Sequence, residues 1–475
     1  MKHTFKISVA ALALTSAMSA LADGEAKNVI FFLGDGMGPV TVTASRIYKY
    51  GEAGQLTMET LGRTARVKTY SLDAQTTDSA PSMGAYMTGV KSRNEVVSMD
   101  GNTRAQSPYS PSTDTTTGVS NAVNNCPTTG NGASVPTLLE QAIAKSKATG
   151  VVTTARLTHA TPAITYSHIC NRNAEYDIAR QAVPGGTGAN PALGAGGVDV
   201  LMGGDSRYWV AYNTTIPNKG RPDGRNLVSE LQAKGYNYVN DLTTFNAAPT
   251  AAGTKIIGLF DQSLAQGHMS YELDRNPLLE PSLAQMTTKA IDILSKNTNG
   301  YFLMVEGGRI DHALHGTNAM RALADTIAFD DAIKAALDKV DLTNTLIVVT
   351  ADHDHTMAFN GYSHLGNNIL GKTTDYRTKN LAKAADGKPF TTLVFGNGGA
   401  AAQRKDVRDD LTAVDTAVNK DYLQDVGVVM PGGVGSETHG GGDVMLFAKG
   451  AGSANFKGTI DNTKVYTLVK KAFGF

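Results

Sequence analysis

The chain has 475 residues with 43 Lys and Arg against 43 Asp and Glu, so it carries no formal net charge. The absence of a basic excess argues against nucleic acid or an anionic membrane surface as the partner. A chain of this length can bury a large core. Its two cysteines, Cys126 and Cys170, could form one disulfide in an oxidising compartment or stay as free thiols.

The chain opens on a short basic region, Met1 to Lys6, then a mostly apolar run from Ile7 to Leu14, then Ala20-Leu21-Ala22, a small-x-small cleavage pattern. This reads as a secretory signal peptide over residues 1–22. The mature protein is expected to start near Asp23, to have a charge near −2 once Lys2 and Lys6 are lost, and to be secreted, into the periplasm if the source is bacterial. The apolar run is too short to cross a membrane, and no later stretch is long enough.

Asn28 to Leu33 is nearly all apolar, as in a strand buried on both faces, and ends in Gly34-Asp35-Gly36-Met37-Gly38, a loop free to curl. Next comes Asp78-Ser79-Ala80-Pro81, with Pro81 suited to the first turn of a helix predicted over Ala80 to Val90. Ser79 then sits at a helix N-terminus. Free N–H groups and the helix dipole favour a bound anion there, although such a serine alone is usually a plain cap. A helix is predicted over 136–149, stopped by Gly150, then a strand from Val151 to Thr154 and a loop holding His159, Thr161, His168 and Arg172. Residues 181–225, rich in Gly, Pro and Asn, read as a long excursion. The remaining expected elements are a strand at 256–260, a helix at 281–295, a strand at 301–305 followed by Glu306, a helix at 318–340, a strand at 345–350 running into Asp352-His353, a strand at 443–448 and a closing helix at 465–473. Glycine-rich, polar sequence over 356–436 looks inserted.

This alternation predicts an α/β fold with a large, mostly parallel central sheet flanked by helices. Ligands of such sheets bind beyond the carboxyl ends of the strands. Asp35, Glu306, Asp352 and His353 all follow strand ends, which places them on one edge.

Three stretches have the composition of metal sites: Glu306 through Asp311, His312 and His315; Asp352-His353-Asp354-His355; and Thr438-His439-Gly440. Asp311 and His315 are one helical turn apart. Imidazole with carboxylate and no thiolate suits catalytic rather than structural zinc. One histidine alone would be an ordinary hydrogen-bonded residue, but only His3, His268 and His364 fall outside these stretches and the loop from His159.

In order along the chain, Gly-Asp35-Gly-Met-Gly, Asp78-Ser79-Ala80, His159-Ala-Thr161-Pro, Arg172, Val-Glu306-Gly-Gly-Arg-Ile-Asp311-His312, Ala-Asp352-His353-x-His355 and Glu437-Thr-His439-Gly-Gly resemble the alkaline phosphatases. The resemblance implies residues 23–475 as one phosphatase domain, with a crown-like insertion at about 361–435 near the two-fold axis of a homodimer. It implies broad hydrolysis of phosphate monoesters to alcohol and phosphate through a phosphoserine at Ser79. Asp311, His315 and His439 would hold one zinc; Asp35, Asp352, His353 and Ser79 the other; Asp35, Thr161 and Glu306 a magnesium. Arg172 would clamp phosphate with Asp78 behind it, His159 and His312 would act through water, and His355 would stand behind the ligands. The His159/His312 pair is that of the animal forms. Their calcium site is resembled in part by Asp261 and Glu280, with surface acids as the alternative. A sulfatase would need an arginine after Ser79-Ala80-Pro81-Ser82, where Met83 stands; phosphodiesterases usually carry threonine as the nucleophile and lack the arginine clamp; a binding protein without turnover needs no nucleophile.

Overall fold

The apolar run after Lys27 forms a strand, β1 (Asn28–Gly34), buried from Val29 onward. In the computed structural model, which describes residues 26–108, 125–213, 220–260, 267–402, 408–432 and 434–475, this strand lies in the middle of a ten-stranded sheet. The expected signal peptide, residues 1–22, and Asp261 lie outside the described residues. The other strands, in chain order, are β2 (Arg63–Lys68), β3 (Ala148–Arg156), β4 (Val200–Gly204), β5 (Tyr236–Val239), β6 (Lys255–Leu259), β7 (Tyr301–Gly307), β8 (Thr345–Thr350), β9 (Asp354–His355), β10 (Met357–Phe359), β11 (Leu393–Gly398), β12 (Val426–Val429), β13 (His439–Gly440), β14 (Val444–Gly450) and β15 (Gly458–Asp461).

The large sheet runs β15-β2-β14-β8-β1-β7-β3-β4-β6-β5. Within it β14 is antiparallel to both of its neighbours, and the other pairings are parallel. Parallel pairing buries both faces, which is why β7 and β8 are buried throughout. Helices Pro39–Tyr50, Leu283–Leu294 and Ala319–Leu337 pack together in one group; Ser79–Thr88, Ala160–Tyr166 and Asn462–Ala472 form another. β10, β11 and β12 make a small separate sheet, and β9 pairs with β13.

Register brings the candidate residues to one edge. Leu33 of β1 pairs with Glu306 of β7 and with Thr350 of β8, and Thr153 of β3 also pairs with Glu306. Asp35 and Asp352 each follow two residues after the Leu33–Thr350 pair, so both leave the sheet side by side.

Several expected elements differ. The helix expected at 136–149 is only Leu138–Ala144, capped by a Thr137–Glu140 capping box, with Pro136 before the cap and Gly150 inside β3. β4 lies within the expected excursion at 181–225: its five buried residues include two glycines, which dilute the apolar signal. The polar β2, with two of its six residues buried, carried no clear alternation. Cys126 and Cys170 are joined in a disulfide. Buried side chains of the 356–436 stretch, among them Ile369, Leu393 and Phe395, join the main core.

Candidate active site and metal centre

Ser79 is the first residue of the helix Ser79–Thr88, and its cap is Asp78, whose Oδ1 accepts from the Ala80 N–H at 2.7 Å. All ten residues of this helix are buried. Met83, Tyr86 and Met87 should each contribute roughly 1.5–3 kcal/mol to holding it in place. Two hydroxyls tie it to the end of β8: Ser82 Oγ donates to the Asp352 carbonyl and Tyr86 Oη to that of Ala351, each at 2.7 Å. Ser79 is thus held against the loop of Asp352 and His353, with its Oγ 3.3 Å from His353 Nε2 and 3.4 Å from Asp35 Oδ1.

The loop carrying Asp35 needs its glycines. Gly36 has φ +65°, and a Cβ there would stand 2.5 Å from the His355 ring; a Cβ on Gly38 would stand 1.6 Å from Asp354 Oδ1. The Gly36 N–H donates to Asp352 Oδ1 at 3.0 Å, which locks the two acid-bearing loops together.

Three donor groups result. Asp311 and His315 share a face of the helix Arg309–His315, and the β9–β13 pairing sets His439 opposite His355. His315 Nε2 lies 3.1 Å from His439 Nε2 and 3.4 Å from Asp311 Oδ1, and His439 Nε2 lies 3.5 Å from Asp311 Oδ1. In the second group His353 Nε2 lies 3.3 Å from Asp35 Oδ1 and 3.6 Å from Asp352 Oδ2, with Ser79 Oγ alongside. A tetrahedron with arms of zinc–ligand length has edges of roughly 3.3 Å, so both groups fit zinc. In the third, Asp35, Glu306 and a ring nitrogen of His159 lie within 4.8 Å of one another. Thr153 Oγ1 donates to Glu306 Oε2, while Glu306 Oε1, Asp35 Oδ2, Asp352 Oδ2 and Thr161 Oγ1 are buried without a hydrogen-bond partner. Orphaned oxygens are costly in a folded protein, and this oxygen-rich set suits a hard cation such as magnesium.

Hydrogen bonds sort the histidines. His315, His353 and His439 each direct Nδ1 at a backbone carbonyl, of Glu437 at 2.6 Å, Asp354 at 3.1 Å and Thr77 at 2.9 Å. Their Nδ1 therefore carries the proton and Nε2 keeps its lone pair for the donor groups, the arrangement seen in metal-ligating histidines. His355 differs, lying between two carboxylates: Nε2 is 2.8 Å from Asp311 Oδ1 and Nδ1 is 2.6 Å from Glu437 Oε2. Burial alone would lower its pKa, but the hydrogen bonds to Asp311 and Glu437 outweigh burial and push it up to about 10.

The carboxylates divide likewise. Burial pushes Asp352 up to about 7, with Asp35 adding to it. Burial also raises Glu306 to about 8, against the Thr153 hydrogen bond, and raises Asp35 well above the usual range, helped by Asp311 and Glu306. Asp311 is held well below that range although it is buried, because His315, His355 and His439 surround it. Packed carboxylates with raised pKa values are poised to exchange protons for cations.

Arg172 Nη1 donates to Asp78 Oδ1 and its Nη2 to His159 Nε2, both at 3.0 Å. These two contacts leave the remaining guanidinium N–H groups available to an anion. The structure thus brings Ser79, Arg172, Asp35, Thr161, Glu306, Asp311, His315, Asp352, His353 and His439 to one sheet edge, with Asp78, His159, His312 and His355 around them. Glu437 and Thr153 were not among the expected site residues; Glu437 lies inside a motif used for the resemblance, but its bond to His355 requires β9 and β13 to meet. His268, set apart in the sequence reading, packs tilted against the His312 ring, 4.1 Å between centroids. His168 instead pairs with Glu140 at 2.6 Å. Glu280 is buried, accepts from the Ser270 N–H at 2.8 Å and leaves Oε2 unpaired, while among the described residues no group of candidate metal ligands includes it.

A family model described as alkaline phosphatase matches residues 26–475. The chain is 36% identical over 457 residues to an alkaline phosphatase of Gadus morhua, covering 91% of this chain and 88% of that one. It is 36% identical over 449 residues to the tissue-nonspecific isozyme of Rattus norvegicus, covering 90% and 79%. Among solved structures, the Thermus thermophilus alkaline phosphatase gives a TM-score of 0.66 at 23% identity, covering 99% of this chain and 96% of that one. The enzyme of the Antarctic bacterium TAB5 gives 0.61 at 22%, covering 95% and 99%.

Proposed function

The chain belongs to the alkaline phosphatase family of hydrolases, and from that premise we propose that it hydrolyses a broad range of phosphate monoesters through a phosphoserine at Ser79. The observation that carries this reading is Ser79 Oγ itself, at a buried helix N-terminus 3.3 Å from His353 Nε2, with the preceding Asp78 accepting from the Arg172 guanidinium at 3.0 Å.

Asp311, His315 and His439 would hold one zinc, Asp35, Asp352, His353 and Ser79 a second, and Asp35, Thr161 and Glu306 a magnesium. Bound cations would supply Lewis acidity for the serine oxygen and for the departing alcohol oxygen.

The chain's own residues have separable tasks. Ser79 Oγ forms the new bond to phosphorus as the bond to the alcohol oxygen breaks; water then releases phosphate and restores the serine. Arg172 binds two non-bridging oxygens in its planar fork, with Asp78 keeping the fork in place. The N-terminus of the Ser79 helix adds favourable potential where negative charge develops. These groups all read the phosphoryl end, so the alcohol can vary.

The protein is proposed to work outside the cytoplasm, which the signal-peptide pattern and the Cys126–Cys170 disulfide support. It is proposed as a homodimer with residues of about 361–435 near the two-fold axis. Among the described residues no helix is long and apolar enough to cross a membrane. Hydrolysis of an aryl phosphate, an aryl sulfate and a bis-aryl phosphate should be compared side by side, with and without prior chelation. The reading expects the monophosphate to be strongly preferred and its turnover to vanish on chelation; sulfate or diester preference, or chelator-resistant turnover, would overturn it.

A further inference from the structure

Asp78 and Arg172 come from separate segments, and one residue outside the catalytic assignment joins them. Glu95 has φ +70°, in the left-handed region that residues other than glycine rarely adopt. In that conformation its N–H donates to Asp78 Oδ2, and its carbonyl accepts from the Arg172 N–H at 2.8 Å. Its Oε2 accepts from Asn171 Nδ2, also at 2.8 Å. We propose that Glu95 is a positioning residue for phosphate binding: its left-handed backbone brackets the Asp78 carboxylate and the Arg172 backbone, so that the guanidinium meets phosphate already anchored at both ends. This rests on the reading of Arg172 as the phosphate clamp.

The bonds around Asp78 show what the bracket sets. Oδ1 accepts from the Ala80 N–H at 2.7 Å and from Arg172 Nη1 at 3.0 Å, so a bond to Oδ2 is what fixes the plane of the carboxylate. The Glu95 N–H supplies that bond. The residue before it helps, since Asn94 Oδ1 accepts from the Asp78 N–H at 3.3 Å. The rest of the segment holds the chain leading to Arg172. Val97 and Ile169 exchange two backbone bonds of 3.0 Å, and the Ser98 carbonyl lies 2.8 Å from His168 Nδ1. Ser98 also has a positive φ, +48°, and Cys170 is tied down by its disulfide. Residues 168–172 therefore run along residues 95–98, with Arg172 at the Glu95 end. Left-handed conformations are costly for such residues and persist where the surroundings require them. The return is preorganisation: an arginine held at its backbone and at one guanidinium nitrogen loses less freedom when it binds an anion.

The test measures inorganic phosphate binding to the full-length, zinc- and magnesium-loaded enzyme by titration calorimetry, with kcat and KM for an aryl phosphate alongside. Glu95→Val opposes the left-handed conformation. It should weaken phosphate binding about tenfold, the scale of one charge-assisted hydrogen bond, and raise KM more than it lowers kcat. Glu95→Gly keeps the conformation without steric cost and loses only the bond to Asn171, so it should recover most of that affinity, to within about threefold of the parent. In an Arg172→Ala background Glu95→Val should weaken phosphate no further, because the bracket acts only through that arginine. Should the valine variant fail to fold, Glu95→Ala, which meets a milder form of the same strain, takes its place and should fall below the glycine variant in affinity. An equal loss in both backgrounds, or a glycine variant as weak as the valine or alanine one, overturns the proposal. Unchanged affinity in the Glu95 variants while Arg172→Ala binds weakly overturns the proposal alone. Unchanged affinity in Arg172→Ala overturns the clamp reading and the bracket with it.

Discussion

Glu437 Oε2 lies 2.6 Å from Nδ1 of His355, whose other nitrogen lies 2.8 Å from Asp311. A buried imidazolium thus joins the carboxylate proposed as a zinc ligand to a second carboxylate behind it. Glu437 also accepts from Thr356 and offers its carbonyl to His315, so one residue steadies two sides of the same donor group. Glu437→Gln removes the anion that keeps His355 charged. Zinc affinity should fall about 10–100-fold, the usual cost of losing such a supporting contact, while turnover at saturating zinc changes much less. Chelator competition measures this, and unchanged affinity would show that the pair only fills space.

Ser79→Ala leaves the cation donors Asp35, Asp352 and His353 in place but removes the oxygen that accepts the phosphoryl group. Turnover should drop by about 10³-fold or more, with a remnant from direct attack by water. No phosphorylated protein should be trapped at low pH. In the unmodified enzyme, trapped label mapping to any residue other than Ser79 would sink the assignment.

Stability against pH should depend on the cations. In the chelated protein Asp352 and Glu306 titrate near 7 and 8, far above their unfolded values, because they are buried together. His355, against its own burial, stays protonated up to about 10 on its bonds to Asp311 and Glu437. Above about pH 7.5, where unfolded histidines are largely neutral, the folded chain therefore binds more protons than the unfolded one. Unfolding free energy must then fall as pH rises. His159, His268, His312, His315, His353 and His439, lowered chiefly by burial, act with the opposite sign below that pH. Asp325, raised by burial to about 8, adds the same downward slope with or without cations, so the difference between the two samples is the quantity to follow. Melting scans from pH 7.5 to 9 should show a gap between loaded and chelated protein that widens with pH. A constant gap would mean that these acids do not face the cations.

How much of this could be read beforehand follows from where the information lies. β1, β7 and β8 were legible because burial on both faces leaves continuous apolar runs, and Asp35, Glu306 and Asp352 were legible because they end those runs. The Asp311–His315 spacing also survives folding unchanged, being local to one helix. β4 was hidden by its glycines, and the edge strands β5 and β15, of four residues each, were too short to carry a period. The Glu437–His355 bond joins residues 82 apart, and the His268–His312 ring contact likewise depends on distant segments meeting. No local pattern records such contacts; only the fold does.

The oligomer offers a separate test. Tyr362 and Leu365 are 84% and 82% exposed, beside Phe359 at 45%, in the stretch expected near the two-fold axis. Large apolar side chains so exposed are costly unless covered. Light scattering should give a dimer, and Tyr362→Glu with Leu365→Glu should give a folded monomer. A monomeric parent protein would remove the case for this interface.

The last expectation concerns the charge around the third donor group. His159 brings no negative charge to Asp35, Glu306 and Thr161, and its Nε2 is engaged by Arg172 at 3.0 Å. An aspartate at this position would offer hard anionic oxygens suited to ordering water around magnesium, and could still accept from Arg172. His312 is neutral, its Nδ1 accepting from Arg309, and is proposed, as the family resemblance implies, to stand near bound phosphate. A lysine there would place a fixed positive charge near bound phosphate. The double variant His159→Asp with His312→Lys should therefore bind both magnesium and phosphate more tightly, each by about tenfold, the scale of one charge-assisted hydrogen bond. Tighter product binding should slow phosphate release, so turnover at saturating substrate should fall while added magnesium activates less, the site being already filled. The single variants separate the two effects: His159→Asp should move mainly the magnesium activation curve, and His312→Lys mainly the phosphate inhibition constant. Unchanged values of both constants in the double variant would show that these histidines do not tune the third site.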